Sequence, residues 1–465
     1  MNMINVRRLA VMTFLGAGML SDISAQDFSL QADTLNEARL PAQWDLQSCI
    51  DYALEQNITI RKNRVTAEST QIDVKTAKAA LFPSLSFSTS QQVVNRPYQE
   101  TSSRVSGSEI ISSNSKTSYN GNYGLNASWT IYNGSKRLKT LKQERLNNQV
   151  AELDVATSEN TIKESIAQIY IQILYAAESV RVNENTLQVS IAQRDRGQEL
   201  LNAGSIAKSD FAQLEAQVST DRYQLVTAQA TLQDYKLQLK QLLELDGENE
   251  MNVYLPKLSD ENVLAPLPAK KDVYVSALAI RPEIEASKLN VEASELGIDI
   301  AKSSYFPTIS LSAGIGTNHT SGSDFTFGEQ VKNGWNNSIG LSVSVPIFNN
   351  RQTKSAVQKA KLQRETDMLS LLDEQKALYK TIESLWLDAN SAQQRYAAAN
   401  EKLRSTQISY DLISEQFNLG MKNTVELLTE KNNLLQAQQE QLQAKYMAIL
   451  NTQLLKFYQG DKLTL

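Results

Sequence analysis

The chain has 465 residues and a formal net charge of −5, and this acidic balance argues against a nucleic-acid partner. It contains one cysteine, Cys49, and one histidine, His319, which argues against a disulfide, a cysteine- or histidine-ligated metal site and a histidine-based catalytic triad. We predict that Cys49 is a small packing residue and that His319 is a solvated loop residue.

The N-terminal residues have the pattern of a secretory signal. Arg7-Arg8 precede an apolar run from Leu9 to Leu20, and small residues ending in Ala25 follow. This pattern predicts a signal peptide over residues 1–25 that is cut after Ala25, followed by an extended leader over 26–43. Because no cysteine follows directly at the cut, we expect no lipid at the mature N-terminus.

The mature chain contains two copies of one pattern. Gly124–Asn133 matches Gly340–Asn349 at an offset of 216 residues (340 − 124), and Leu81–Pro83 matches Tyr305–Pro307 at an offset of 224 (305 − 81). The sequence therefore predicts an internal duplication, with a first repeat over 44–245, a linker over 246–271 and a second repeat over 272–460.

Each repeat opens with a helical pattern and then changes to alternation. The first helical segment runs from Trp44 without glycine or proline until Pro83 ends it, and in the second copy Pro282 fits only near a helix start or a break. The alternating strands are Leu85–Val93 and Tyr119–Ile131 in the first copy, and Ile309–Asn318 and Trp335–Val345 in the second.

These strands predict two hairpins, about 84–131 and 308–346, which are closed by Ser-, Gly- and Asn-rich loops at 96–118 and 320–334. One face of each strand is apolar and the other carries small polar residues, as in the wall of a membrane barrel. A soluble sandwich would alternate in the same way, but the signal peptide and the small polar face favour the barrel. Four strands are too few to close a barrel, for which about eight are needed, so the pattern implies an oligomer.

A very long helix follows each hairpin, predicted over 135–203 and 351–419, and a return helix follows each of these over 206–245 and 422–459. Apolar residues recur every seven positions, which is typical of helices lying along helices. Gly204 and Gly420 stand where each long helix must reverse, and we predict a left-handed C-terminal cap at both. The recurring apolar positions are Ile166, Ile173, Val180 and Leu187, then Phe211, Val218, Leu225, Leu232 and Leu239, and in the second copy Leu428, Leu435, Leu442 and Ile449.

Taken in order, these features resemble the outer membrane factor family, the TolC-like export channels. The similarity covers nearly all of the mature chain. It departs at Asn350-Arg351, where Gly-Arg is often seen, and in the lack of the lipidated cysteine that many members carry. The matching features are Trp44-Asp45-Leu46, Ala53-Leu54, Asn57, the two Phe-Pro segments, the joints Trp129–Gly134 and Val345–Asn349, and the two turn glycines.

The resemblance implies a mixed fold of coiled-coil helices and membrane strands with an internal duplication. Three protomers would contribute four strands each to a twelve-stranded outer-membrane barrel, which continues into a helical tunnel through the periplasm. The protein would be a passive channel of a tripartite efflux or export system, fed by an inner-membrane pump through a periplasmic adaptor. It would have no enzymatic activity and no cofactor. Since the sequence contains no Gly-x4-Gly-Lys-Ser/Thr loop, the pump must supply the energy.

The resemblance also implies a gate at the periplasmic tip. An acid stands six residues beyond each turn glycine, Asp210 and Glu426, and acids at this offset narrow the tunnel mouth in the family. A simpler interpretation is that both acids only stabilise their helices, because an acid in the first turn of a helix interacts favourably with the helix dipole. Phe417 and Lys422 flank the second turn and are further candidates for gate contacts.

The turns themselves resemble the family's docking site for the adaptor, since small and apolar residues at an exposed turn suit helix packing. The residues concerned are Ala203, Gly204, Ser205, Leu419, Gly420 and Met421.

Two other classes of protein fit the sequence less well. A structural coiled-coil surface protein or adhesin would show the heptads without the two hairpins, so the hairpins count against it. A secreted enzyme would need a convergent set of histidine, cysteine or paired acidic residues, which the pattern does not offer.

Overall fold

The computed structural model describes residues 41–98, 102–106, 109–113, 116–246, 251–256, 263–321, 323 and 325–464. The predicted signal peptide lies outside these residues, as do all but the last three residues of the predicted leader and parts of the linker.

Both halves contain two short helices, two long strands, a 67-residue helix and a return helix in the same order, which confirms the predicted duplication; they differ in what lies between the two long strands. The first half contains α1 (Leu46–Gln56), α2 (Ile58–Ala79), β1 (Ser84–Asn95), β2 (Ser102–Ser106), β3 (Glu109–Ser113), β4 (Thr117–Asn133), α3 (Lys136–Asn202) and α4 (Lys208–Leu242). The second half contains α5 (Lys270–Ile280), α6 (Pro282–Ser303), β5 (Thr308–Thr320), α7 (Phe327–Asn333), β6 (Asn336–Ser344), α8 (Gln352–Asn418) and α9 (Thr424–Gln459). Helices α3 and α8 have 67 residues each, or about 100 Å at ~1.5 Å per residue.

The segments predicted as plain loops contain regular structure, so this part of the prediction was wrong. Strands β2 and β3 form a separate antiparallel pair between β1 and β4. Helix α7 lies between β5 and β6, where Thr326 caps its N-terminus and Glu329 bonds back to the Thr326 backbone. This reciprocal bonding between residues three apart starts a helix even in a polar segment.

The first helical segment is broken at Asn57, where a single helix was predicted. The Asn57 side chain accepts hydrogen bonds from the amides of Thr59 and Ile60, which begins α2, and donates to the Leu242 carbonyl at the end of α4. The second half breaks at the equivalent position, Arg281 (57 + 224).

At that break Pro282 occupies the first position of α6, which confirms the prediction that it stands at a helix start. The Arg281 guanidinium is buried, donates to Glu164 Oε1 at 2.8 Å and lies 3.6 Å from the centroid of the Tyr458 ring. Burial raises the pKa of Glu164, and the contact with Arg281 opposes this shift.

The four long strands form one antiparallel sheet in the order β1-β4-β5-β6, and the two faces of this sheet differ in chemistry. Leu125 pairs with Ile315 and Leu311 pairs with Leu341, on the apolar face of each strand. Alternate residues point the other way, where serine, asparagine and glycine dominate. The predicted four strands with one apolar and one small polar face are confirmed.

The prediction that His319 is a solvated loop residue was wrong. His319 lies in β5 and is half-buried among Tyr119, Tyr123 and Phe327, whose ring centroids are 5.0–5.9 Å from its own.

At the entry to each long helix two successive residues take left-handed backbone angles. In the first half these are Gly134 (φ 67) and Ser135 (φ 64), and in the second half Asn350 (φ 51) and Arg351 (φ 63). Asparagine tolerates this region better than most residues, which explains how it replaces the glycine in the second copy. At Gly134 a Cβ would lie 2.6 Å from the Ser303 carbonyl, so the first copy requires glycine.

The largest apolar core lies where the short helices, the linker and the middle of the long helices meet. It contains Trp44, Cys49 and Tyr170, and full burial of Cys49 confirms its predicted packing role. The linker joins this core through an isolated bridge between Trp44 and Val253. Among the described residues, no helix has both the length and the apolar character needed to cross a bilayer.

Candidate functional site

Two helical hairpins, α3–α4 and α8–α9, end side by side in turns that are both capped by glycine. Gly204 (φ 69) and Gly420 (φ 76) have left-handed angles, which confirms the predicted caps. The amides of Ser205 and Met421 each donate to the carbonyl five residues earlier, which completes a Schellman motif in both turns.

The residues predicted to dock a partner are all solvent-exposed in the single chain. Leu419 and Met421 leave 69% and 70% of their surface exposed, so the second turn presents two adjacent apolar side chains. The turn that ends at Ser205 is exposed as well, but its residues are small. The turn at Gly420 therefore has an apolar surface, whereas the turn at Gly204 carries only small side chains.

A small apolar cluster holds the two hairpins together just above the turns. Leu214 of α4 packs with Phe417 of α8 and Leu427 of α9, and each of the three is at least 98% buried. Gly197 allows this approach, because a Cβ there would lie 2.4 Å from Leu214 Cδ1. Phe417, a candidate for gate contacts, is therefore buried inside the tip, where its packing helps to hold the two hairpins together.

The matched acids occupy the same position in α4 and α9, the third residue of the helix. Asp210 Oδ2 accepts from the Ala207 amide at 3.4 Å. Glu426 and Asn423 bond reciprocally, since each side chain accepts from the other's amide, at 3.2 and 2.9 Å. Both carboxylates cap their helix, as expected if these acids stabilise the helix ends.

Lys422 adds a charge contact to the second turn only. Its Nζ lies 2.6 Å from Glu426 Oε1, and this hydrogen bond, with that from the Asn423 backbone, lowers the pKa of Glu426. Glu426 therefore keeps its negative charge to a lower pH than an isolated glutamate. The structure brings Lys422 and Glu426 together, whereas Asp210 has its contact with Ala207 in the other turn.

A buried polar cluster higher up the hairpins was missed by the sequence analysis. Lys431 of α9 donates to Asp221 of α4 and to Ser190 of α3, and the Lys431 and Asp221 side chains are 3% and 2% exposed. Ser190 also donates to Asp221, and Gln217 Nε2 donates to the second Asp221 oxygen at 2.9 Å. We call these four residues the lysine node.

The lysine node joins three helices from the two halves of the chain. Burial lowers the pKa of Lys431, and the Asp221 carboxylate opposes that shift by its hydrogen bond and charge. Because the two charges and the remaining polar atoms satisfy one another, the ion pair is tolerated in an apolar setting.

The signal for this cluster was present in the heptads. Ser190, Asp221 and Lys431 each stand three residues after an apolar heptad position, namely after Leu187, Val218 and Leu428. Positions spaced by three and four alternate along the seam between packed helices. A polar residue at that spacing therefore indicates a buried polar contact.

Comparison with known proteins places the chain in a family. The family model described as outer membrane efflux protein matches residues 49–244 and 273–460. The outer membrane efflux protein BepC of Brucella suis is 26% identical over 294 residues, which are 63% of this chain and 61% of BepC. The outer membrane protein TolC of Escherichia coli is 24% identical over 341 residues, 70% of this chain and 66% of TolC. The chain thus spans a little under two thirds of the length of these two relatives.

Solved structures share the fold over almost the whole chain. A crystal structure of CusC superposes with a TM-score of 0.76 at 19% identity and covers 90% of this chain and 93% of CusC. The outer membrane protein VceC of Vibrio cholerae gives a TM-score of 0.73 at 16% identity, with coverage of 90% and 97%.

Proposed function

The chain belongs to the outer membrane efflux protein family, and we propose that it forms the passive outer-membrane channel of a tripartite export system. Substrate enters from the periplasm at the α3–α4 and α8–α9 tip and leaves through a barrel built by the strands. A periplasmic adaptor and an inner-membrane pump deliver the substrate and supply the energy.

The observation that carries this proposal is the four-stranded sheet with two open edges. Among the described residues, β1 and β6 each pair on one side only. Such edges pair readily with another chain, and pairing β6 of one copy with β1 of the next closes a ring. Three copies give twelve strands, whose apolar faces turn to lipid and whose small polar faces line an aqueous lumen.

The tip carries the proposed gate and the proposed adaptor contact. In a ring of three, Asp210 and Glu426 bring six carboxylates to one narrow opening, where they attract cations and repel anions. Capping does not conflict with this role, because in each turn the carboxylate accepts hydrogen bonds without being buried. Leu419 and Met421 offer apolar surface to the helices of an adaptor.

The test is native mass spectrometry and single-channel recording on one detergent-extracted preparation of the mature protein. We expect a trimer that conducts ions in planar bilayers. A monomer or dimer that does not conduct would overturn both the ring and the channel.

A further inference from the structure

Helix α7 lies on the apolar face of the sheet, at the end farthest from the long helices. Thr317 Oγ1 donates to the Val331 carbonyl at 2.7 Å, and Gln330 Oε1 accepts from the Thr320 amide at 2.8 Å. Thr317 shares its strand face with Ile315 and Leu311, because alternate residues of a strand point the same way. The helix therefore covers the same face as the apolar band of the sheet.

The position of α7 is set by close packing. The His319 ring is stacked on Tyr123 and is edge-on to Phe327 of α7, with centroid distances of 5.9 and 5.0 Å. Opposite His319 stands Gly121, where a Cβ would lie 2.2 Å from His319 Cε1. Since only glycine leaves room for the ring, the sheet is shaped to receive this helix.

Large aromatic side chains at the start of α7 and on either side of it are partly exposed. Phe325, Phe327 and Trp335 are 55%, 43% and 58% exposed in the single chain, and Lys332 in the last turn is exposed as well. The apolar band of the same sheet face, which includes Leu125 and the 84% exposed Ile339, begins beyond Asn337. Aromatic side chains beside a cation, at the border of an apolar band, match the chemistry of a lipid headgroup layer.

We propose that α7, with Phe325 and Trp335, lies against the headgroup layer of the outer leaflet on the outside of the barrel wall. The inference rests on the proposed function, because it requires the apolar face of the sheet to be turned to lipid. A lipid surface is the partner that fits, because α7 covers the same face of the sheet as Leu311, Ile315 and Ile339. In this position α7 anchors the barrel mouth at a fixed depth.

The test measures the depth of a spin label in phosphatidylcholine vesicles that contain phosphatidylglycerol. Gly328→Cys places the label on α7 without a clash, since nothing lies within 4 Å of the added Cβ. Ile339→Cys reports on the apolar band and Ala203→Cys on the tip. The native thiol of Cys49 is fully buried, so it competes little for the label. Collision with oxygen, which enters lipid, is compared with collision with a water-soluble nickel complex.

We expect the label at 339 to favour oxygen, the label at 203 to favour nickel and the label at 328 to lie between them. A nickel-dominated signal at 328 equal to that at 203, with the label at 339 in lipid, would overturn the inference and leave the channel intact. A nickel-dominated signal at 339 would instead overturn the proposed membrane wall itself, and with it this inference.

A second variant tests whether the aromatic side chains hold α7 in place. Phe325→Ser with Trp335→Ser removes exposed aromatic surface and leaves the His319 packing untouched. In this background the label at 328 should shift toward the nickel-accessible value while the label at 339 stays unchanged. No shift at 328 would show that these side chains do not contact lipid, which contradicts the proposal.

Discussion

The ammonium of Lys431 hydrogen-bonds the carboxylate of Asp221, and this buried contact joins the return helix of the second half to that of the first. An exposed pair, Lys402 and Glu440 at 2.8 Å, joins α8 to α9 within the second half. The two pairs provide a matched comparison of buried and exposed charge in one helical bundle.

Lys431→Met should weaken the bundle strongly, because it leaves the Asp221 charge buried without a partner. Breaking a buried pair costs about 3–5 kcal/mol, whereas breaking an exposed one costs about 0–1 kcal/mol. Hydrogen exchange of the amides around residues 190, 221 and 431 measures the free energy of local opening. Lys402→Met is the control, and equal loss of protection in the two variants would contradict the assignment. Lys431→Met combined with Asp221→Leu should recover most of the protection.

In the proposed channel, Asp210→Asn with Glu426→Gln should lower the cation selectivity. These substitutions remove the charges but keep side-chain oxygens that can cap the helices, so they separate the gate role from the capping role. Reversal potentials in a salt gradient across a planar bilayer measure the effect. Glu401→Gln with Glu440→Gln, which removes two acids farther from the turn, should have a smaller effect. Unchanged reversal potentials in the tip variant would remove both acids from the gate.

Lys422→Met should move the pH dependence of selectivity. The Lys422 hydrogen bond lowers the pKa of Glu426, so its loss raises that pKa toward the ordinary value of 4.5. As pH falls, the variant should therefore lose cation selectivity at a higher pH than the unmodified protein, although its selectivity near neutral pH should be greater. The reversal potential measured between pH 3 and pH 7 decides this, and superimposable profiles would argue against a lumen position for Glu426.

Ser205→Trp with Met421→Trp should block export that depends on the adaptor while trimers remain in the membrane. These positions are better than the neighbouring glycines, because any side chain at Gly204 or Gly420 is strained by the left-handed backbone. Ser205→Ala with Met421→Leu keeps side chains of similar size at the two turns, and this variant should export normally. Normal export by the tryptophan variant would exclude the turns from docking.

Much of the fold could be predicted because its signals repeat. The duplication, the four strands and the two left-handed glycines all follow from spacing within the chain. The break at Asn57 could not be predicted in the same way, because its side chain donates a hydrogen bond to the Leu242 carbonyl, which lies 185 residues away in the sequence. Helix α7 was missed because it starts from a short cap within a polar segment.

The candidate site was less visible in the sequence than the fold. The offset of Asp210 and Glu426 from the turns places them at the helix starts, but it does not give their contacts. The charged and hydroxyl residues of the lysine node occupy seam positions between packed helices. The heptad pattern contains the information needed to identify those positions. Phe417 could be assigned to the tip core only once Leu214 and Leu427 were seen to surround it.

The two helix breaks are equivalent in sequence, but they depend on different parts of the chain. Asn57 completes its contacts within its own half, at the Leu242 carbonyl, whereas Arg281 reaches across to Glu164 of the other half. The first break therefore stabilises one repeat internally, whereas the second ties one repeat to the other. Loss of the Asn57 side chain would for this reason loosen the first half itself, and loss of the Arg281 side chain would loosen the join between the halves.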